Sequence, residues 1–194
     1  MLNSIEYDFE EVINRKNTDC TKYDGLKKYF GYSDLNPLWV ADMDFKTPSF
    51  INNAIISAAQ NSLYGYSIVS NETIDSIVKW QKNQHSWEIL PNEIFMINGV
   101  VPAYSACIEA FSDEGDEVIV QTPVYPPIFN CVKANNRKIV VNELINTNGY
   151  YTMDFDDLEK KITPKTKILA LCSPHNPVGR VWSKEELERL ADIC

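Results

Sequence analysis

The sequence predicts an α/β fold with a largely parallel sheet. Two observations carry this. From residue 93 onward, short apolar runs alternate with segments of helical period, the spacing of strand–helix–strand units. The chain has 194 residues, 44% of them hydrophobic and 23% charged, which suffices for a sizeable core and excludes a disordered or fibrous chain.

Taken in order, residues 1–47 mix charges, aromatics and turn formers without a sustained period, and are expected to be irregular. A helix is expected from Thr47-Pro48, an N-cap with proline at the first helical position. Ile51, Ala54, Ile55 and Ala58 share one of its faces. After Tyr64-Gly65-Tyr66, a second helix starts near Asn71, with Ile74, Ile77 and Val78 aligned. Ile94-Phe95-Met96-Ile97 reads as a first strand. A helix follows over Pro102–Ser112. Ala103, Ala106, Cys107 and Ala110 lie on one side of it and Tyr104, Ile108 and Phe111 on another, so burial on two faces is expected. Glu117–Val120 is the next strand, and Pro126-Pro127 opens a helix with Ile128, Phe129 and Val132 inward. Lys138–Val141 is the third strand, Asn148-Gly149 a tight-turn signal, Phe155–Lys161 a short helix and Lys167–Leu171 the fourth strand. Ser183 and Glu186 form a capping box, with Trp182 and Leu187 at the positions of a hydrophobic staple. Leu187, Leu190, Ala191 and Cys194 then mark a helical face that stops in mid-pattern, as in a truncated sequence.

The net charge of −9 argues against a nucleic-acid footprint, which needs clustered Lys and Arg. Five scattered cysteines without C-x-x-C read as reduced thiols of a cytoplasmic protein. Two histidines, His85 and His175, supply a zinc site poorly. Met1–Glu6 lacks a basic region leading into an apolar run, so no signal peptide is expected. No apolar stretch approaches the ~20 residues of a membrane helix.

Three segments could carry chemistry. Asn98-Gly99-Val100-Val101-Pro102 runs from a strand end into a helix with no acid in its first turn. Its free N–H groups and helix dipole suit an anion. Spacing alone favours an ordinary strand-to-helix turn, because neither G-x-G-x-x-G nor G-x-x-x-x-G-K-[ST] is present. Thr122-Pro123-Val124-Tyr125-Pro126-Pro127 follows a strand, where α/β sheets bind ligands. Its prolines narrow the directions open to Tyr125, either for stacking on a flat ring or as a core tyrosine in a stiff loop. Ser173–Arg180 is a proline-bounded turn that aims the Asn176 amide, either at a ligand oxygen or into its own turn. Asp42-Met43-Asp44 resembles the D-x-D start of haloacid-dehalogenase-like phosphatases. That pattern expects Thr or Val where Lys46 stands, and two acids in a loop are usually solvated or capping.

Together the segments resemble one family, the fold-type I pyridoxal-phosphate enzymes of the aminotransferase class I/II superfamily, and within it the cystathionine β-lyase branch. The stretches that carry the resemblance are Pro37–Phe45, Tyr64-Gly65-Tyr66, Gly99–Ala103, Thr122–Tyr125 and Cys172–Trp182. The resemblance implies the aspartate aminotransferase fold, a mostly parallel sheet with helices on both faces, truncated here. Residues 1–47 would contribute to a small domain and the substrate side. Residues 48–194 would be the first part of the large cofactor domain, incomplete at its C-terminus. The implied cofactor is pyridoxal 5'-phosphate. Gly99, Val100 and Val101 would hold its phosphate, Tyr125 would stack on its ring and Asn176 would donate to its phenolate oxygen. Tyr66 would reach the phosphate of the neighbouring subunit in a homodimer. Trp39, Val40, Ala41 and Asp42 would line the substrate side. The implied reaction is α,β-elimination on a sulfur amino acid, giving pyruvate, ammonia and a thiol. An aminotransferase, or a non-catalytic half-fold used for binding or regulation, are the other readings. The family's cofactor-binding lysine, its aspartate partner to the ring nitrogen and its substrate-carboxylate arginine have no counterpart here, so the 194 residues alone are expected to be inactive.

Overall fold

The computed structural model describes residues 7–194; the signal-peptide reading rests on Met1–Glu6 and lies outside the described residues. The chain forms two compact units, Met1–Val69 and Ser70–Cys194.

Among its described residues the first unit holds three helices, α1 (Thr21–Asp24), α2 (Leu26–Phe30) and α3 (Ser49–Gln60). The two short ones correct the expectation of an irregular segment through residue 47. Neither is long enough to show a hydrophobic period, and local hydrogen bonds set them instead. The Asp24 carboxylate accepts from the backbone N–H groups of Asn17, Thr18 and Cys20 at 2.8, 3.0 and 3.1 Å. Those bonds favour its charged form and hold its pKa below the ordinary value. Helix α3 forms where its period places it, but Pro48 rather than Thr47 is its N-cap, with no side-chain cap bond; it buries none of its residues, and Ile51 and Ile55 are exposed.

The second unit begins with α4 (Asn71–His85), capped by the Ser70 hydroxyl, which accepts from the Thr73 N–H at 3.2 Å. A 3-10 turn over Pro91–Glu93 leads to α5 (Val100–Phe111). Then come β1 (Glu117–Thr122), α6 (Pro127–Ala134), β2 (Lys138–Glu143), β3 (Ile145–Thr147), β4 (Tyr150–Thr152), α7 (Phe155–Lys161), β5 (Thr166–Ala170) and α8 (Lys184–Ile193).

The sheet order is β2-β1-β5, with both pairings parallel. Strand β1 pairs with β2 from Glu117↔Lys138 to Thr122↔Glu143, and with β5 from Val118↔Ile168 to Val120↔Ala170. Being central, β1 is buried on both faces, and its alternation divides the core. Val118 and Val120 pack with Ile108 of α5 and Cys131 and Val132 of α6. Ile119 packs with Leu158 of α7, Leu190 of α8 and Trp182. Helices therefore cover both faces, and each fully buried aliphatic side chain among these contributes about 1.5–3 kcal/mol. Near the carboxyl end of β1 a polar pair replaces the apolar one. Gln121 Nε2 donates to Asn142 Oδ1 at 3.2 Å, and Asn142 Nδ2 donates to Asp157 Oδ2 at 2.8 Å.

Strands β3 and β4 form the hairpin that Asn148-Gly149 signals. Both turn residues have positive φ, 52° and 88°, the type I′ geometry that suits Asn-Gly. The capping box of α8 is formed in both directions, and Trp182 and Leu187 pack in one cluster as the staple requires. Two further expectations fail. Ile94–Ile97 is not a strand, because no neighbouring strand pairs with it among the described residues, and Phe95, Met96 and Ile97 are exposed. Helix α5 is covered on one face only: Ile108 is buried, whereas Ala106, Cys107, Ala110 and Phe111 are exposed.

Candidate functional site

The site is built at the carboxyl end of the parallel sheet. Three connections meet there, the one into α5, the loop after β1 and the turn after β5. They line a cleft of about 420 Å³ whose walls include Val100, Val101, Tyr104, Tyr125, Cys172 and Asn176, a volume typical of small-molecule sites. None of its lining residues is charged.

Gly99 is the N-cap of α5, at φ 109° and ψ 156°. Its carbonyl accepts from the Ala103 N–H at 3.2 Å, which starts the helix. The N–H groups of Val100 and Val101 have no partner among the described residues. The first turn of α5 contains no acid. Two free donors and the positive end of a three-turn helix thus border an uncharged cleft, an arrangement that favours an anion.

Tyr125 is partly exposed at the cleft, so its ring is free for a ligand rather than spent in the core. The Asn176 amide makes no hydrogen bond among the described residues, so it does not cap its own turn. The structure therefore gathers Val100, Val101, Tyr125 and Asn176 on one cleft, with Gly99 shaping its edge.

Sequence reasoning passed over two residues here. Tyr104 lines the cleft, while its hydroxyl is buried with no partner among the described residues, and burial pushes its pKa up to about 12. His175, considered in the sequence only as a metal ligand, is 1% exposed and lies directly before Asn176. Its position inside Ser173–Arg180 was the available signal. Among the described residues no cluster of His, Cys, Asp or Glu could hold a metal ion, all five cysteines are free, and no helix is long and apolar enough to cross a membrane.

The remaining candidates belong to the first unit. Trp39 packs its ring between Tyr29 and Phe30, each centroid 5.1 Å away, and its Nε1 donates to the Lys22 carbonyl at 3.1 Å. Asp42 is ion-paired with Arg15. Asp44 is paired with Arg15 at 2.8 Å and with Lys22 at 2.6 Å. Lys22 first, then Arg15, hold the Asp44 carboxyl down at about 2. The two acids of the D-x-D pattern therefore brace their own loop. Val40 is half-buried, Ala41 is exposed and Tyr66 is fully exposed.

A free helix start, a partly exposed aromatic ring and a free amide thus meet at the carboxyl end of a parallel sheet, where α/β folds bind ligands. The profile of the aminotransferase class I and II family matches residues 38–194, and the chain belongs to that family. It is 40% identical over 187 residues to cystathionine beta-lyase PatB of Bacillus subtilis, covering 96% of this chain and 48% of that protein. It is 33% identical over 190 residues to protein MalY of Escherichia coli, covering 97% and 49%. The structure of cystalysin from Treponema denticola, which contains a pyridoxal 5'-phosphate cofactor, superposes with a TM-score of 0.89 at 40% identity, covering 97% of this chain and 49% of that one. The chain thus spans about half the length of the curated relatives it matches.

Proposed function

We propose that these residues form the first half of a pyridoxal-phosphate-dependent carbon–sulfur β-lyase, acting on a small sulfur amino acid by α,β-elimination to give pyruvate, ammonia and a thiol. The observation that carries this reading is the shared cleft of the free Val100 and Val101 N–H groups, the Tyr125 ring and the free Asn176 amide. Those groups fit a phosphorylated pyridine: two donors for the phosphate, a flat aromatic for the ring and a neutral donor for a ring oxygen. The similarity to cystathionine beta-lyase PatB supports the lyase reaction within the family, and the similarity to cystalysin supports the cofactor.

When bound, pyridoxal phosphate supplies an electron sink for charge developing at the substrate Cα. The chain's own residues do the holding. The α5 N-terminus neutralises the phosphate with dipoles rather than cations. Tyr125 fixes the plane of the ring, and Asn176 orients it by donating to its oxygen while remaining uncharged. No lysine lines the cleft, so the amine that would attach the cofactor lies, in this reading, outside these 194 residues, and the chain alone is inactive. Residues 1–47 serve the substrate side through Trp39, Val40, Ala41 and Asp42. Residues 48–194 open the large cofactor domain. The intact enzyme is a cytoplasmic homodimer in which Tyr66 reaches the neighbouring subunit's phosphate, a compartment supported by five free thiols.

The test is borohydride reduction with pyridoxal phosphate, followed by peptide mapping. The 194-residue chain is expected to yield no lysine adduct, and the intact polypeptide a single one together with pyruvate release from cystathionine. Amino transfer to a keto acid without pyruvate release would replace the lyase by an aminotransferase, and one specific adduct on the 194-residue chain would refute the missing-lysine reading.

A further inference from the structure

His175 stands between the two loops that carry the ring platform and the amide. Its Nε2 lies 2.9 Å from the Pro123 carbonyl oxygen, 52 residues away in sequence. A carbonyl can only accept, so Nε2 carries the proton and donates. The backbone of His175 is held as well: its N–H donates to the Arg180 carbonyl at 2.7 Å, and its carbonyl accepts from the Gly179 N–H at 2.8 Å. Its ring meets Trp182 edge-on at 5.4 Å, and Trp182 Nε1 donates to the Cys172 carbonyl at 2.9 Å. Arg180 stacks on Trp182 at 4.7 Å and pairs with both Glu186 oxygens at 2.8 and 2.7 Å. The same Glu186 accepts from the Ser183 N–H at the start of α8. A continuous packed chain thus runs from the α8 capping box to the Pro123 carbonyl, two residues before Tyr125.

We propose that His175 is a positioning residue: it ties the Tyr125 loop to the Asn176 turn and so sets the gap in which a flat ring is gripped. The inference rests on the reading of the cleft as a pyridoxal-phosphate site. His175 Nδ1 is buried and has no partner among the described residues. Histidine at this position leaves one ring nitrogen unsatisfied, and the compensating gain is the bond across the loops.

The experiment compares the intact polypeptide with its H175L and H175Q variants. Three readouts are taken: the dissociation constant for pyridoxal phosphate, the visible circular dichroism of the bound cofactor, and hydrogen exchange of the 123–128 and 173–180 segments without cofactor. H175L is expected to bind about tenfold more weakly, the scale of one lost hydrogen bond, with altered dichroism and faster exchange in both segments. H175Q, which can still donate toward the carbonyl, should recover most of the affinity and the dichroism. If H175L does not fold, H175N, polar but too short to span the loops, takes its place. Affinity, dichroism and exchange unchanged in the variant that lacks the tie would overturn the proposal. A wild-type protein that binds no pyridoxal phosphate would instead overturn the reading of the cleft, while the exchange data would still decide whether His175 ties the loops.

Discussion

Gly99 adopts a backbone conformation essentially closed to residues with a Cβ. A Cβ built there would lie 3.6 Å from Pro102 Cδ, an ordinary contact, so the strain in G99A is conformational rather than steric. That variant is expected to lose about 1–3 kcal/mol of stability, read as a lower urea midpoint; an unchanged midpoint would show that the loop can relax. Tyr104 behaves in the opposite sense. Its hydroxyl is buried without a partner among the described residues, so Y104F is expected to raise stability by about 1 kcal/mol, whereas a clear loss would reveal an ordered water on the hydroxyl. Asp44 titrates at about 2 in the folded chain, below the ordinary value of about 3.9. A lowered folded-state pKa contributes its full stability above the ordinary value, and that contribution disappears as the pH falls through about 2. D44N should flatten the acid limb of the urea midpoint across that window; a limb of unchanged slope would assign it to other carboxylates. Tyr125 and Asn176 were legible in the sequence because prolines bound them at strand ends. The tie made by His175 was not, since its partner, the Pro123 carbonyl, lies 52 residues away in sequence.

At the scale of elements, what could be read depended on whether an element's signal is local. The capping box of α8, the Asn-Gly hairpin and the proline start of α6 involve neighbours a few residues apart, and all three form. The central strand β1 was readable because burial on both faces makes its apolar run continuous. Ile94–Ile97 has the same texture without a paired neighbour, and a strand cannot exist without its ladder. The short α1 and α2 had no period to detect. Glu186 serves both the α8 cap and Arg180. S183A is expected to cost about 1 kcal/mol through the cap alone, and E186A more, because it also removes the carboxylate that pairs with the Arg180 guanidinium, which is only 12% exposed. Equal losses in the two variants, measured by chemical denaturation, would show that the Arg180 pair adds nothing.

For the molecule as a whole, the strand–helix alternation and the motif order made the fold class and the cleft legible, while the covering of each helix was not. Burial depends on what lies against a face, and α3 and one side of α5 carry apolar residues with nothing against them among the described residues. With Leu63, Tyr66 and Ile68 also exposed, the 194-residue chain is expected to self-associate. Light scattering that showed a monodisperse monomer would contradict this. The measurement that tests the site most directly is a crystal structure with pyridoxal phosphate bound. The expected result is a phosphate on the Val100 and Val101 N–H groups, a ring against Tyr125, and the Asn176 amide on the ring oxygen. A cofactor bound away from this cleft, or a cleft that stays empty while the cofactor binds elsewhere, would contradict it.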